Sequence, residues 1–300
     1  MKVPVSILIP IRNEAHNLPR ALASVAWADE VIVVDSASTD GSPAIAERAG
    51  ATVVQFHFNG VWPKKKNWAL AEIPFRHAWV FILDADEVLP PGTGAELADL
   101  IAHDGRGCAG FWINRRFMFM GGWLRHAYYP NWNLRFFRHA LGRYERMVEG
   151  ATDSGDNEVH EHIVIEGRTG RLESEMDHYA FPSVAVFVEK HNRYSNWEAR
   201  LQVEGGIDRG QGARIASRRV RLLRWLKGVS HRLPFRPTLR FLYVYVGQAG
   251  FLDGRRGYYF ARLHAVYEFL SVAKAHELRL QAGPALPPGP TFAAAPSAVK

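Results

Sequence analysis

Cysteine is almost missing from this chain: Cys108 stands alone among 300 residues. A single thiol excludes an internal disulfide framework and a cysteine-based metal site, and favours a reducing compartment. Set in an apolar stretch, Cys108 reads as packing rather than as a nucleophile. Long apolar runs are also lacking. The nearest, LRFLYVYVGQAGFL, is short and broken by glycine and glutamine, well under the roughly 18 to 20 residues a membrane-spanning helix needs. The opening MKVPVSILIPI runs straight into charged residues without a small-residue cleavage site, so it reads as a first strand rather than a secretory leader. These features lead us to expect a cytoplasmic protein that touches a membrane at most peripherally.

Acidic residues are absent from Arg209 to Arg240, which holds ten Lys and Arg; the formal net charge of +7 therefore leaves −3 for the rest. The basic character belongs to one segment. At 100° per residue, Ile215, Leu222, Leu226 and Val229 form a stripe opposite Arg214, Arg221, Arg224 and Lys227. Such a basic amphipathic helix suits an anionic membrane surface, or else packs on the catalytic domain with its charged face in water. Nucleic acid is not expected as a partner, because the aromatics cluster elsewhere and no nucleic-acid motif is present.

What the chain does contain is 47% hydrophobic and 12% aromatic residues, enough for one large α/β domain with an extension. Short β-branched runs, VSILIPI, EVIVVDS, ATVVQF and AWVFILDAD, alternate with helical patterns over the first hundred residues. This is the mark of βαβ units and a mostly parallel sheet. We expect a nucleotide-binding half over 1–105, an acceptor and catalytic half over 106–205, a basic helical extension over 206–282 and a disordered Pro- and Ala-rich tail over 283–300. Within these spans, helices are expected over RNEAHNLPRALASVA, TDGSPAIAERAG, Trp62 to Ala71, Phe181 to Val203 and from Gly212 onward.

Ligands of open α/β sheets gather beyond the carboxyl ends of the parallel strands. The polar residues of this sequence stand there: Asn13 and Glu14 after strand one, Asp35 and Ser36 at the end of strand two, Lys66 and Asn67 after strand three, and Asp84 and Asp86 after strand four. Two carboxylates at i and i+2 on one side of a strand end bury charge poorly unless a cation compensates. Mg²⁺ or Mn²⁺, which takes carboxylate oxygens, waters and substrate phosphates, fits that need.

The segments SILIPIRNEAHNL, EVIVVDSASTDGS, KKKNWAL and FILDADE resemble the successive motifs of glycosyltransferase family 2, with the GT-A fold. The likeness extends through NEVHEHIVIEG, EKHNRYSNWEA and GFLDGRRGYYFARLHAVYEF, and is nearest the branch of lipopolysaccharide core and exopolysaccharide glycosyltransferases. It implies a UDP-sugar donor, UDP-glucose first, with a saccharide or lipid-linked acceptor. Pro10, Asn13 and Glu14 would lie along the nucleotide, Asp35 at the base or ribose, Lys66 and Asn67 closing over that end. Asp84 would face the ribose and Asp86 would ligate the cation. Many family members carry a second acid where this chain has Ser36.

Inverting transfer needs a base for the acceptor hydroxyl and an electrophile on the leaving diphosphate. The resemblance points to Glu161, between His160 and His162, as the base, with Asp153 and Asp156 as rivals. Three consecutive residues of a strand alternate faces, which argues against a zinc site there. His178 is either a further ligand to the cation or a structural histidine. Lys190, with Arg193 or Tyr194 three or four residues on, would share a helix face towards the diphosphate. Trp112, Trp123, Tyr128, Tyr129 and Trp132, with Arg135 and Arg138, suit an acceptor groove. Two other classes fit parts of this pattern: a nucleotidyltransferase, which should carry a Gly-rich basic loop where PIRNEAHN stands, and a non-catalytic nucleotide-sugar-binding protein.

Overall fold

The computed structural model describes residues 2–60, 63–145, 162–204 and 235–281. Strand β1 (Val3–Ile11) is apolar at nearly every position and buried on both faces, the pattern of a central strand covered by helices on either side. It pairs in parallel with β2 (Ala28–Asp35) and with β4 (Trp79–Ile82), and β2 pairs in parallel with β3 (Thr52–Gln55). Alternation sends Val5, Ile7 and Ile9 of β1, Val33 of β2 and Phe81 of β4 into one core layer, and Leu8, Ile32, Val34, Val80 and Ile82 into the opposite one. Helices α1 (Leu18–Ser24), α2 (Ser42–Arg48) and α3 (Lys65–Glu72) link these strands.

Each helix is shorter than its sequence pattern. Residues 12–17 and 36–41 are given over to two loops that hydrogen-bond to each other, so α1 starts only at Leu18 and α2 only at Ser42. Gly41, at φ 84°, makes the left-handed entry to α2, a conformation that costs glycine little.

The aromatic second half joins the same sheet. Beyond β4 come β5 (Glu87–Val88) and α4 (Thr93–Ala102), then β6 (Gly110–Phe119), β7 (Gly122–Trp123), β8 (Trp132–Arg138), β9 (Gly142–Tyr144), β10 (Ile163–Ile165) and β11 (Thr169–His178). The main sheet runs β3-β2-β1-β4-β8-β6-β11-β5, with β7 on β6, while β9 and β10 form a separate ribbon. Pairing is parallel from β3 to β4 and mixed beyond it. The α/β class and the helical extension are thus as expected. Cys108 packs half-buried against the first core layer.

Helix α5 (Val184–Glu204) leads towards the extension, whose described part comprises α6 (Arg236–Leu242), a π turn over Tyr243–Gly247, a 3₁₀ turn over Gly250–Asp253 and α7 (Gly254–Gln281). A third core cluster joins it to the sheet: Phe117 and Phe119 of β6 meet Phe187 of α5, Val244 and Phe260. Among the described residues, no helix is long and apolar enough to cross a membrane. The expected amphipathic helix around 215–229 and the tail over 283–300 lie outside the described residues.

Candidate active site

The carboxyl ends of β1 and β2 lie side by side, with Ile11 in register with Asp35. The loops that follow are laced together. Asn13, in the left-handed region at φ 56°, accepts the Thr39 N–H at 2.8 Å, and its own N–H donates to Ser38 Oγ at 2.8 Å. Glu14 N–H donates to Ser42 Oγ and Ala15 N–H to Asp40, each at 2.9 Å. Asp35 is buried and accepts from the backbone and hydroxyl of Ser38. Asn13 and Asp35 therefore shape the loops at the expected nucleotide end, and Pro10 lies in β1 opposite Val34.

From the other side, α3 presents three consecutive polar residues with three different fates. Lys65 is buried and donates to the Ile11 carbonyl at 2.9 Å. Lys66 pairs with Asp84 at 2.8 Å and lies 5.4 Å from the centre of the Tyr144 ring. Asn67 exchanges two hydrogen bonds with the backbone of Tyr144, at 2.9 and 3.0 Å, and so ties α3 to β9. The structure thus brings Lys66 to the acidic cluster and uses Asn67 as a clamp. The role of Lys65 was missed in the sequence, where three adjacent lysines carry no signal of which one is inward.

Asp84 and Asp86 do not sit on the strand. β4 ends at Ile82, and the chain turns tightly, with Glu87 N–H donating to the Asp84 carbonyl at 2.9 Å and Asp84 N–H to Glu87 Oε2 at 3.0 Å. Ala85 between them is buried in the first core layer, so it is the turn, not strand alternation, that arranges the two carboxylates.

Their surroundings differ. Asp84 is held by Lys66 and by the Arg135 guanidinium, at 2.6 Å. Arg135 also reaches the fully buried Glu87 at 2.6 Å, and Arg115 approaches Glu87 at 3.3 Å. Burial alone would raise the Asp84 carboxyl, but Arg135 and Lys66 hold it well below the usual carboxylate range. Its charge is already compensated by protein cations, which removes the argument that both carboxylates need a metal.

Asp86 is left with a histidine. Its Oδ2 lies 3.6 Å from His178 Nε2 at the end of β11, too far for a good hydrogen bond. Its carbonyl accepts from Tyr179 N–H at 2.8 Å, which clamps the turn to that strand. Burial pushes the Asp86 carboxyl up, and His178 and then Lys190 pull it to a net lowered value. Glu14 shares the same space: burial, then Asp86 and Asp84, raise its carboxyl, opposed by a hydrogen bond from Asn17 and by Lys190. His178 Nδ1 is buried with no hydrogen-bond partner among the described residues, and its ring stands edge-on to Phe117.

An oxygen of Asp86 and a nitrogen of His178 at this separation suit neighbouring positions around one small divalent cation, with Glu14 adding negative potential. Mg²⁺ or Mn²⁺ draws its other ligands from water and phosphate, so the pair fits such an ion. Among the described residues, no group of three or more His, Cys, Asp or Glu forms a complete protein cage.

Lys190 of α5 donates to the Ala180 carbonyl at 3.2 Å and faces this acidic group electrostatically. Of its expected companions, Arg193 is exposed and the Tyr194 ring stands edge-on to His191 at 5.6 Å. The aromatic and arginine set is likewise divided. Strand β8 runs antiparallel to β4 with Arg138 opposite Trp79, so Arg138 stands at the amino end of β4, stacked on Trp79 and paired with Asp104. Arg135, three residues earlier, lies at the carboxyl end beneath Asp84, buried instead of lining a sugar groove. Trp132 stacks on Arg171 at 4.7 Å and, with Tyr128, Pro130, Asn131 and Gln248, lines a cavity of about 270 Å³. Glu161, Asp153 and Asp156 lie outside the described residues.

Residues 6–160, more than half of the chain, match Glycosyl transferase family 2. The chain belongs to glycosyltransferase family 2. Membership decides for glycosyl transfer over nucleotidyl transfer. Among its relatives, the chain is similar to the lipopolysaccharide core biosynthesis glycosyltransferase LpsC of Rhizobium meliloti, 28% identical over 92% of this chain and 93% of that protein. An uncharacterized glycosyltransferase of Rickettsia bellii is 28% identical over 94% of this chain and 89% of its own length. The S. aureus TarS 1-349 structure in complex with UDP aligns with a TM-score of 0.41 and 16% identity over 94% of this chain and 92% of that one, a likeness that carries no argument about this site.

Proposed function

We propose that this glycosyltransferase moves a hexose, glucose first among the candidates, from a UDP-sugar to a saccharide or lipid-linked acceptor, with inversion and with Mn²⁺ or Mg²⁺. Its place would be the synthesis of a cell-envelope polysaccharide or lipopolysaccharide, on the cytoplasmic side of the membrane. The similarity to LpsC over nearly the full length of both chains supports the class of product. The observation that carries the metal reading is the unequal pair: Asp84 is neutralised by Lys66 and Arg135, whereas Asp86 faces His178 at 3.6 Å beside Glu14.

In this reading Asp86 and His178 hold the cation, which when bound neutralises the charge that develops on the departing diphosphate. Asp84, kept ionised and oriented by its two cations, accepts from a ribose hydroxyl. Lys190 approaches the diphosphate from α5 and adds positive potential where charge develops. The acceptor hydroxyl attacks the anomeric carbon as the carbon–oxygen bond to the diphosphate breaks, and its proton passes to Glu161, with Asp153 and Asp156 as the rival bases. The Trp132 and Tyr128 cavity offers an aromatic wall for a sugar ring. A thermal-shift screen of nucleotide sugars with and without Mn²⁺ tests the whole reading, since a ligand that binds only the folded state raises its melting temperature. Stabilisation by one UDP-sugar that depends on the metal is the expected result. Equal shifts with and without metal would remove the cation, and no shift with any nucleotide sugar would remove the donor.

A further inference from the structure

The C-terminal extension buries one side and leaves the other apolar. Val244 is fully buried, and Phe241 and Tyr245 pack on the third core cluster. On the outward side of the same segment stand Leu239, Leu242, Tyr243 and Val246, spaced three, one and three residues apart, with Val246 58% exposed. The following 3₁₀ turn adds Phe251 and Leu252, the latter 60% exposed. A helix that is apolar all round belongs in a core or in contact with lipid. The patch is continuous through its rings: Phe251 meets Tyr245 at 6.3 Å, Tyr245 meets Tyr258 at 5.8 Å and Tyr258 meets Tyr259 at 5.7 Å.

Arginines rim it. Arg262 stacks on Phe241 at 4.5 Å, Arg240 lies 5.8 Å from the Tyr243 ring, and Arg255 and Arg256 are exposed beside the turn. Asp253 is the sole acid between Arg209 and Arg262, and it points inward, accepting the backbone N–H groups of Arg125, His126 and Ala127 at 2.8 to 3.0 Å. No carboxylate of this stretch therefore neutralises the rim.

We propose that this face, from Leu239 to Tyr259, docks into the interface of an anionic lipid bilayer. Aromatic rings and aliphatic side chains would enter the boundary between headgroups and acyl chains, and the arginines would meet lipid phosphates. Charge disfavours the other two occupants. A two-fold dimer through this face would set the same arginines against each other. Residues 209–234 carry eight Lys and Arg and no acid, so covering the face with them would also bring like charges together. The face is fixed to the active site, because Phe260 of α7 packs on Phe117 at 5.5 Å and Phe117 on His178 at 5.4 Å. A docked molecule would thus hold its cleft in one orientation to the membrane. The inference stands apart from the donor and acceptor proposed above, since vesicle binding is read without turnover.

The test is co-sedimentation of the full chain with vesicles of phosphatidylcholine alone and of phosphatidylcholine with phosphatidylglycerol. The protein is expected to pellet with the anionic vesicles, and less so at high salt. The combined variant Leu242→Ser, Val246→Ser, Phe251→Ser and Leu252→Ser is expected to weaken binding about tenfold or more, through lost apolar insertion. Should that variant misfold, a Cys108→Ser chain carrying Phe251→Cys with an environment-sensitive dye is to show a blue shift on adding anionic vesicles. Absence of vesicle binding, an unshifted dye, or binding unaltered by the four folded substitutions would each overturn the proposal. So would a dimer that the same substitutions dissociate in the absence of any vesicle affinity.

Discussion

Replacing Arg135 by methionine removes the cation that joins the two halves of the site. Arg135 is buried, at 2.6 Å from both Asp84 and Glu87. Methionine keeps most of the volume, so the loss is electrostatic. Glu87 would be left fully buried with Arg115 at 3.3 Å as its remaining cation among the described residues, and Asp84 would depend on Lys66. Breaking a buried pair by removing one partner costs about 3 to 5 kcal/mol, because a charge is left behind in a poorly solvated place. The retained Arg115 and Lys66 argue for the lower end, about 3 kcal/mol, and a melting point lower by roughly 6 °C or more. Calorimetry and urea denaturation at pH 7 measure this. The double variant Arg135→Met with Glu87→Gln should recover about 1 kcal/mol or more, as the stranded charge is also removed. A loss under about 1 kcal/mol for the single variant, or a double variant that loses the sum of both, would refute the description of Arg135 as the keystone of the site.

Asp86→Asn should abolish metal-dependent donor binding and lower turnover by about 100-fold or more, with a slightly lower melting temperature, since His178 and Lys190 favour the ionised carboxyl there; isothermal titration with Mn²⁺ and UDP checks the binding and a thermal melt the stability. Stability should fall as pH drops from about 6.5 towards 4, because burial lowers His191 to about 4 and pushes His264 down as well, whereas the unfolded chain takes up those protons first. The His191 share is about 3 kcal/mol when fully developed, and His191→Gln should flatten the decline in urea melts across that range. Gly257→Ala should cost about 2 kcal/mol or more, since a Cβ there would lie 1.8 Å from the Gly250 carbonyl oxygen at the junction of the 3₁₀ turn and α7; an unaltered melting point would show that the junction is not so tightly closed.

Much of this molecule is local information. The four parallel strands follow from short apolar runs, and the polar residues at their ends follow from where those runs stop, so Asn13, Asp35, Lys66 and Asp84 could be placed at one edge of the sheet from the sequence. Family 2 motifs are legible for the same reason. The surroundings of these residues were not. The resemblance assigns Asp84 to the ribose and Asp86 to the cation, but the physical difference between the two carboxylates comes from Arg135 and His178, brought in by β8 and β11 from 51 and 92 positions along the chain. Arg135 and Arg138 looked equivalent until the antiparallel register of β8 on β4 sent one to the carboxyl end of the sheet and the other to the opposite end. Asn67 became a clamp only because β9 returned to α3. Nor does the apolar run around α6 show in the sequence which of its sides is covered. Composition and periodicity therefore determined which residues are polar at strand ends and which segments form strands and helices, since both depend on neighbours a few positions away. Which charges meet, and which apolar face is exposed among the described residues, was decided by strand register and helix packing across tens of residues, where spacing in the sequence carries no distance.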